Sequence, residues 1–487
     1  MAVVAGVDSS TQSTTVVLKD ADSGTTLGVG SAPHPPTFPP VSEQNPADWW
    51  TALGTAMGRA RDEARIRPQD IEAISVAAQC HGLVPLDSAG RVIRPAKLWN
   101  DTTSAAQAMR LREVLPVPEW VERVGSLPPP AFTISKLVWL AEQEPENFKR
   151  LARVLLPHDW ITWGLSGNAV TDRSDASGTG YFSASRNRYD DGILDLVDAD
   201  RDWSSVLPRV LGPTETAGGV SNAIADELGV AGGATVCAGS GDQHAGAVGL
   251  GVERGDIVFV FGTSGVVYGL SPTEIHDPTG AVNSVAAATE GYQPLVCTLN
   301  AAKVTDTFAR LLGVDHHELS RLALAADGSA DRPVLAAFLD GERTPDRPAA
   351  RGTLAGLTTS TRREDLALAG FEGAVLGLVE GYDQLSRLGV ENQGRVFITG
   401  GGAASPAYQQ VLADALGRDV LLAESAQPVA SGAAIQAAAV LRGVILEDVR
   451  AAWAPATKLA AHPRGMRAIP PVRERYAVLS GWRGLES

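Results

Sequence analysis

Short apolar runs separated by turns of small hydroxylic residues set the rhythm of the chain. Val3 to Val7 is apolar without alternation, which predicts a strand covered on both faces. The turn Asp8-Ser9-Ser10-Thr11-Gln12-Ser13-Thr14 follows, and Thr15 to Lys19 predicts a second strand. Asp22-Ser23-Gly24 turns the chain into a third, Thr25 to Ser31. Pro33 to Pro40 fits neither helix nor central strand and predicts a surface crossing. A helix is expected from near Pro46, with Trp49, Trp50, Leu53 and Met57 on one face. Ile71 to Gln79 predicts a strand leading into Cys80-His81-Gly82. Helices are expected over Ile134 to Gln143 and Phe148 to Val154. Thr235 to Ala238 predicts a strand ending in Gly239-Ser240-Gly241-Asp242, and a small-residue helix runs from Gln243 toward Leu250.

After Gly251 the opening pattern returns. Ile257 to Phe261 is apolar, Gly262-Thr263-Ser264-Gly265 is a tight hydroxylic turn, and Val266 to Leu270 is apolar again. Two copies of strand, polar turn and strand suggest two domains of related topology. Arg395 to Thr399 predicts a strand, Gly400-Gly401-Gly402 a loop, and Pro406 to Leu416 a helix opened by proline. Ser431 to Leu441 predicts a helix small enough on every face to pack tightly, and the tail beyond Val444 one or two peripheral helices. A chain of 487 residues exceeds one ordinary core, so domains are expected over 1–248 and 249–487.

Charge narrows the partners. A formal net charge of −15 disfavours nucleic acid and anionic membranes. It leaves nucleotide open, because a nest of backbone amides can hold phosphate within an acidic protein. Cys80, Cys237 and Cys297 lie far apart without a CxxC pair, so neither a disulfide framework nor a zinc site is expected. The N-terminus lacks a basic region followed by a long apolar one, and no stretch reaches the roughly 20 apolar residues of a membrane span. A cytoplasmic location is the expectation.

The turn from Asp8 to Thr14 has the composition of a phosphate cradle, with small residues that let amides approach an anion and hydroxyls that add donors. It is equally the composition of an ordinary hairpin turn, as is Gly262 to Gly265. The loop Gly400 to Gly402 puts amides at a helix start, where phosphate is favoured, and the three together favour a nucleotide cleft. No lysine is followed by Ser or Thr, which excludes a Walker A motif. Gly249 to Gly255 has the wrong spacing for a dinucleotide fingerprint, and no GxSxG elbow or HExxH helix occurs. Asp242 reads locally as a helix cap or as a general base at a cleft rim. Asp8 reads as a turn former or as an acid beside phosphate and magnesium. His81 reads as a loop histidine or a ligand, and His244 as a packing residue.

Taken in order, these segments resemble the FGGY carbohydrate kinases, and the resemblance runs from about Val3 to about Val440. Gly6 to Thr14 looks like that family's first phosphate loop, and Ser42-Glu43-Gln44-Asn45-Pro46 with Trp49-Trp50 is similar to its Glu-Gln-Asp-Pro…Trp-Trp segment. Gln79-Cys80-His81-Gly82, Leu98-Trp99-Asn100-Asp101, Lys136-Leu137 with Trp139-Leu140, Leu156 to Asp159 and Ser174 to Thr179 fit as well. Gly241-Asp242 matches the catalytic aspartate, Gly262 to Gly265 the second phosphate turn, and Glu342 to Pro345, Arg351-Gly352 and Gly400 to Gly402 complete the series.

The resemblance implies an α/β protein of two actin-like (ribonuclease H-like) ATPase domains, with the active site in the cleft between them. It implies ATP-dependent phosphorylation of a ketopentose, with another ketose, a polyol or glycerol as the alternative and a non-kinase actin-like ATPase as the more distant one. Asp242 and Asp8 are then catalytic, and Asp8 holds Mg²⁺, through water. Cys80, His81, Trp99, Asn100, Asp101 and Gln243 face the sugar. Ser10, Thr11, Gln12, Ser13, Thr14, Gly262, Thr263, Ser264, Gly401, Gly402 and Ser405 face ATP. Sugar and ATP are the expected partners, with a homodimer open. Three departures from the family pattern stand out: Thr15 replaces a usual lysine, Cys80 a usual methionine, and Gln243 a common asparagine.

Overall fold

The computed structural model describes residues 1–465 and 469–484. The N-terminal half is built on a mixed sheet. Strands β1 (Val3–Ser9), β2 (Ser13–Asp20) and β3 (Thr26–Pro33) form an antiparallel meander. Helix α1 (Pro46–Ala64) starts on an Asn45 cap with proline at its first position. Strand β4 (Ile71–Ala78) then lies parallel to β1 on its other side. Helices α2 (Thr133–Gln143) and α3 (Arg173–Ser177) precede β5 (Thr216–Gly219) and β6 (Thr235–Cys237), which extend the sheet beyond β4. The two-residue strand Ser240–Gly241 also pairs with β4 and leads straight into α4 (Asp242–Gly249).

The second half repeats this plan in six strands and adds one at its edge. Strands β7 (Ile257–Phe261) and β8 (Gly265–Gly269) form a hairpin, and β9 (Asn283–Ala286) and β10 (Tyr292–Thr298) follow. After α5 (Ala302–Leu312) and the long α6 (Arg363–Arg387), strand β11 (Val396–Thr399) lies parallel to β7 as β4 does to β1. Helix α7 (Pro406–Leu416) leads to β12 (Val420–Ala423), parallel to β11 as β6 is to β4. Helices α8 (Pro428–Arg442) and α9 (Leu446–Ala452) precede β13 (Thr457–Ala461), antiparallel to β12 as β5 is to β6, and α10 (Ile469–Gly481) ends the described chain. The repeat of strand, turn and strand in the sequence is thus the visible part of a duplicated topology.

Two of the expected elements away from the site differ. Residues 148–154 do not form one helix: Pro145–Arg150 is helical, and Arg153–Leu155 is a strand paired with Val84–Leu86. Val154 and Leu155 suit either periodicity, and the waiting edge strand decides. The tail is also more than peripheral helices, because β13 completes the second sheet.

Both faces of β1 are covered. Val3, Ala5 and Val7 pack with Trp49, Leu53 and Met57 of α1. On the other face Val4 joins a cluster with Val248 of α4 and Ala434, Ile435 and Ala438 of α8. The fit is close to backbone contact: a Cβ on Gly6 would lie 1.9 Å from the Ala430 carbonyl oxygen, and one on Gly432 would lie 1.9 Å from that of Ala245. Gln436 anchors α8 on the first sheet. Its Oε1 accepts from Ser75 Oγ (2.5 Å) and the Gly239 amide (3.2 Å), and its Nε2 donates to the Pro213 carbonyl (2.9 Å). Beyond α4, Ala247 and Leu250 pack with Val258 and Phe397 of the second sheet. Helices α4 and α8 therefore form a small-residue spine between the two sheets. Among the described residues no helix is long and apolar enough to cross a membrane.

Candidate active site

Parallel strands deliver their carboxyl ends to one edge of a sheet, where α/β proteins bind ligands. In the first sheet that edge carries Asp8 at the end of β1, Cys80 and His81 just after β4, and Asp242 just after Ser240–Gly241. Residues from three segments far apart in the chain thus converge because their strands are neighbours.

Asp242 is the first residue of α4, and Gly241 occupies the cap position. Its Oδ1 accepts the Gln243 amide at 2.7 Å and the Cys80 thiol at 3.3 Å. The expected cap is therefore replaced by a carboxylate at the positive end of the helix. Burial lifts its pKa from 3.8 to about 6, helped by the nearby Asp175 charge and opposed by the Cys80 hydrogen bond. At neutral pH Asp242 is an ionised base whose affinity for a proton exceeds that of a surface carboxylate. Asp8 is pushed further, to about 8, by burial and by the charge of Asp242, and its Oδ1 is buried without a hydrogen-bond partner. Such a group is ionised near neutrality only with a cation beside it.

The wall opposite is held by a chain of amides and rings. Trp99 is 39% exposed, and its Nε1 donates to Thr11 Oγ1 at 3.0 Å. Thr11 Oγ1 in turn donates to Gln79 Oε1 at 3.0 Å. Gln44 Oε1 accepts from Gln79 Nε2 and from Trp49 Nε1, while Gln44 Nε2 donates to the Thr11 carbonyl. The Glu-Gln-x-Pro…Trp segment of the sequence thus serves as the frame that ties the first turn to Trp99. Asn100 keeps a buried Oδ1 without a partner. Asp101, by contrast, is fully buried behind the wall. Its oxygens accept from the Ser42 amide (2.8 Å), the Thr103 amide (3.0 Å) and Lys97 Nζ (3.2 Å). Asp101 does not reach the site surface; it shapes the loop that carries Trp99 and Asn100.

The two hydroxylic turns differ in what they leave free. In the first, Ser10 Oγ donates to the Ser13 carbonyl at 3.0 Å, Thr11 is engaged as above, and Thr14 is buried with Oγ1 2.8 Å from His34 Nε2. Thr14 faces the interior, so its hydroxyl is not directed at a ligand. The side chains of Gln12 and Ser13 remain free of hydrogen bonds among the described residues. Thr15, in the place of the usual lysine, is buried and donates to Ser31 Oγ. In the second turn the Gly262 amide donates to the Ser264 carbonyl at 3.1 Å, and the hydroxyls of Thr263 and Ser264 take no hydrogen bond among the described residues. Residues Gly401–Ala404 form a 3₁₀ turn, not the expected open loop. Gly400, at φ 85°, lets this turn approach Phe261, whose carbonyl oxygen would be 2.7 Å from a Cβ there. A Cβ on Gly402 would meet Phe261 at 2.8 Å, whereas one on Gly401 would meet nothing within 4 Å. Ser405 starts α7 and donates to Ser320 Oγ at 3.3 Å.

Three groups without an assigned role from sequence stand beneath His81. Asp175 Oδ1 lies 3.4 Å from His81 Nδ1, and Lys136 Nζ donates to the His81 carbonyl at 2.9 Å. His158 is fully buried, with Nε2 at 3.1, 3.3 and 3.7 Å from Asp159, Asp172 and Asp175. Burial opposes its charge, but those carboxylates prevail and hold its pKa at about 9. All three lie in segments that the family resemblance marks, yet nothing in the local sequence shows that they meet. Cys80, His81 and Asp175 also offer ligating atoms within 4.8 Å of one another. Two of them are already engaged, the thiol with Asp242 and the Asp175 carboxylate with the His81 amide.

A duplicated sheet that presents a hydroxylic turn twice, with a base at the start of the helix joining the copies, is the construction of a two-domain α/β phosphotransferase. The kind of acceptor follows from kinship. The chain belongs to the FGGY family of carbohydrate kinases: its N-terminal domain model matches residues 3–249 and its C-terminal domain model residues 257–441. It is thus a sugar kinase, of a family that uses ATP. The chain is 40% identical over 452 residues to the xylulose kinase of Streptomyces coelicolor, covering 93% of this chain and 90% of that one. It is 35% identical over 394 residues to the xylulose kinase of Escherichia coli, covering 80% and 79%. The crystal structure of xylulose kinase from Bifidobacterium adolescentis superposes with a TM-score of 0.85 at 37% identity, over 99% of both chains.

Proposed function

We propose that the chain transfers the γ-phosphoryl group of ATP to D-xylulose, giving D-xylulose 5-phosphate. The observation that carries this reading is Asp242, a base buried against the Cys80 thiol in a chain 40% identical to a xylulose kinase. Asp242 takes the proton of the C5 hydroxyl as that oxygen bonds to the γ-phosphorus. The bond from the γ-phosphorus to the β,γ-bridging oxygen breaks, and ADP leaves. Base catalysis of this kind contributes roughly 10²–10⁴-fold in rate.

His81, Cys80, Trp99, Asn100 and Gln243 would contact the sugar, with Asp101 supporting them from behind. Gln12, Ser13, Thr263 and Ser264 would donate to the phosphates, and Gly401 would border the adenosine. Asp8 fits a magnesium site, because its orphaned oxygen and raised pKa both call for a cation. When bound, Mg²⁺ supplies neutralisation of phosphate charge. The domains divide near residue 249, with α8 returning to the first, and the reaction belongs to the cytoplasm, where ATP is at hand.

A second reading, another ketose or a polyol as acceptor, draws on Cys80 and Gln243, which depart from the usual residues beside the sugar. ADP release across D-xylulose, D-ribulose, L-ribulose, xylitol and glycerol separates the two. D-Xylulose is expected to give the highest kcat/KM, and a clear preference for another acceptor would replace the substrate while leaving the chemistry in place.

A further inference from the structure

His81 has a backbone conformation that its residue type disfavours. Its φ is 64°, in the left-handed region, yet it is neither glycine nor an exposed helix end. Such a conformation persists only where the surroundings over-determine it. Here they do so from three directions. The His81 amide donates to Asp175 Oδ1 at 3.0 Å. Its carbonyl accepts from Thr133 Oγ1 at 3.1 Å and from Lys136 Nζ at 2.9 Å. Its ring packs on Phe132, with centroids 4.9 Å apart, and against Gly178, where a Cβ would lie 2.0 Å from His81 Cε1.

Lys136 is unusual in its own right. It is fully buried, and among the described residues no carboxylate lies within ion-pair distance of its Nζ, which donates to the carbonyls of His81 and Ala131. Burial pulls its pKa from 10.5 down to about 7, and holding an amine there on two carbonyls is costly. Asp175 is fully buried as well, and His158 backs its second oxygen at 3.7 Å.

We infer that Lys136, Thr133 and Asp175 are positioning residues that preset His81, backbone and ring, before the sugar arrives. This deepens the reading of His81 as a sugar contact and rests on it. The carboxylate of Asp175 favours the proton of the neutral ring on Nδ1, which faces it. Neither ring nitrogen makes a hydrogen bond among the described residues, but Nδ1 is buried 3.4 Å from Asp175 Oδ1, so Nε2 is left to present a lone pair and accept from a sugar hydroxyl. Burial lowers the His81 pKa, which keeps the ring neutral and this polarity fixed.

Nitrogen NMR on the sugar-free, full-length protein with labelled histidine reads the tautomer directly, the His81 signals being those that vanish in His81→Gln. Nδ1 protonated and Nε2 bare is expected; the reverse tautomer would overturn the assignment. Asp175→Asn and Lys136→Met are expected to raise the KM for D-xylulose about 10- to 100-fold while the KM for ATP stays within about twofold. Parallel changes in both constants, or an unchanged sugar KM, would refute positioning. Should those variants fail to fold, Thr133→Val removes one donor without stranding a charge and faces the same criterion. If His81→Gln leaves the sugar KM unchanged, the sugar contact is wrong, and the tautomer measurement still judges the clamp by itself.

Discussion

Asp242 carries a charge that its surroundings resist and its chemistry requires. Its folded pKa of about 6 lies above its ordinary 3.8, so the folded state holds the proton more tightly than the unfolded chain. The ionised carboxylate therefore weakens the fold as pH rises through that window, and the cost is complete above about 6. Asp242→Asn removes the charge and keeps the shape. The melting temperature above pH 6 is expected to hold or rise, while kcat falls roughly 10²–10⁴-fold. Near-normal turnover in this variant would remove Asp242 from the mechanism. Catalysis has the opposite slope from stability, because only the ionised form accepts the proton. The kcat/KM for the sugar should rise with pH and level off above about 6. Cys80→Met deletes the thiol that donates to Asp242, and the acid limb of that profile should then move to higher pH. An unmoved limb would show that the thiol does not tune the base.

The elements show which parts of the molecule can be read from residue pattern alone. Strands β1, β2, β7 and β8 were legible because unbroken apolar runs end in hydroxylic turns. Their equivalence was half legible, since the turns repeat but the parallel partners β4 and β11 lie far off in the chain. Strand β13 was not legible. Three of its five residues are exposed, and an edge strand needs little apolar character. In the site, Asp8, His81 and Asp242 could be recognised by motif. The inward commitment of Thr14 and Asp101 could not, because it depends on His34 and Ser42 packing behind them. The loop Gly400 to Gly402 gives a sharper case. Gly402 is the obvious residue to enlarge against a nucleotide, yet its Cβ would strike Phe261 in the core beneath. Gly402→Val should lower stability by about 1–3 kcal/mol, as overpacking does. Gly401→Val, with open space around its Cβ, should leave the melting temperature near the parent value and raise the Kd for ATP. Calorimetry with ATP and with sugar on both variants decides, and equal loss of both ligands in Gly401→Val would deny it a nucleotide contact.

On the scale of the whole molecule, α8 is the piece that makes two similar halves one protein. It is made of the second half's chain, but it packs on the first half's sheet, and Gln436 bonds to Ser75 across 361 positions of sequence. That reach has a consequence for how the chain is born. Synthesis proceeds from the N-terminus at about 5–20 residues per second, so α8 emerges roughly 10–40 s after α4. Through that interval Val4, Ala73 and Cys237, all buried in the finished molecule, lack the cover that α8 gives one face of the sheet. The nascent N-terminal half is thus a client for whatever holds apolar surfaces apart in the cell, and its folding ends only when nearly the whole chain has been made. Chains truncated after residue 427 and after residue 445 differ by this one helix. The shorter should bind an apolar dye and lose its N-terminal half quickly to protease, and the longer should protect that half. Equal protection in the two would mean that the first sheet folds without waiting for α8.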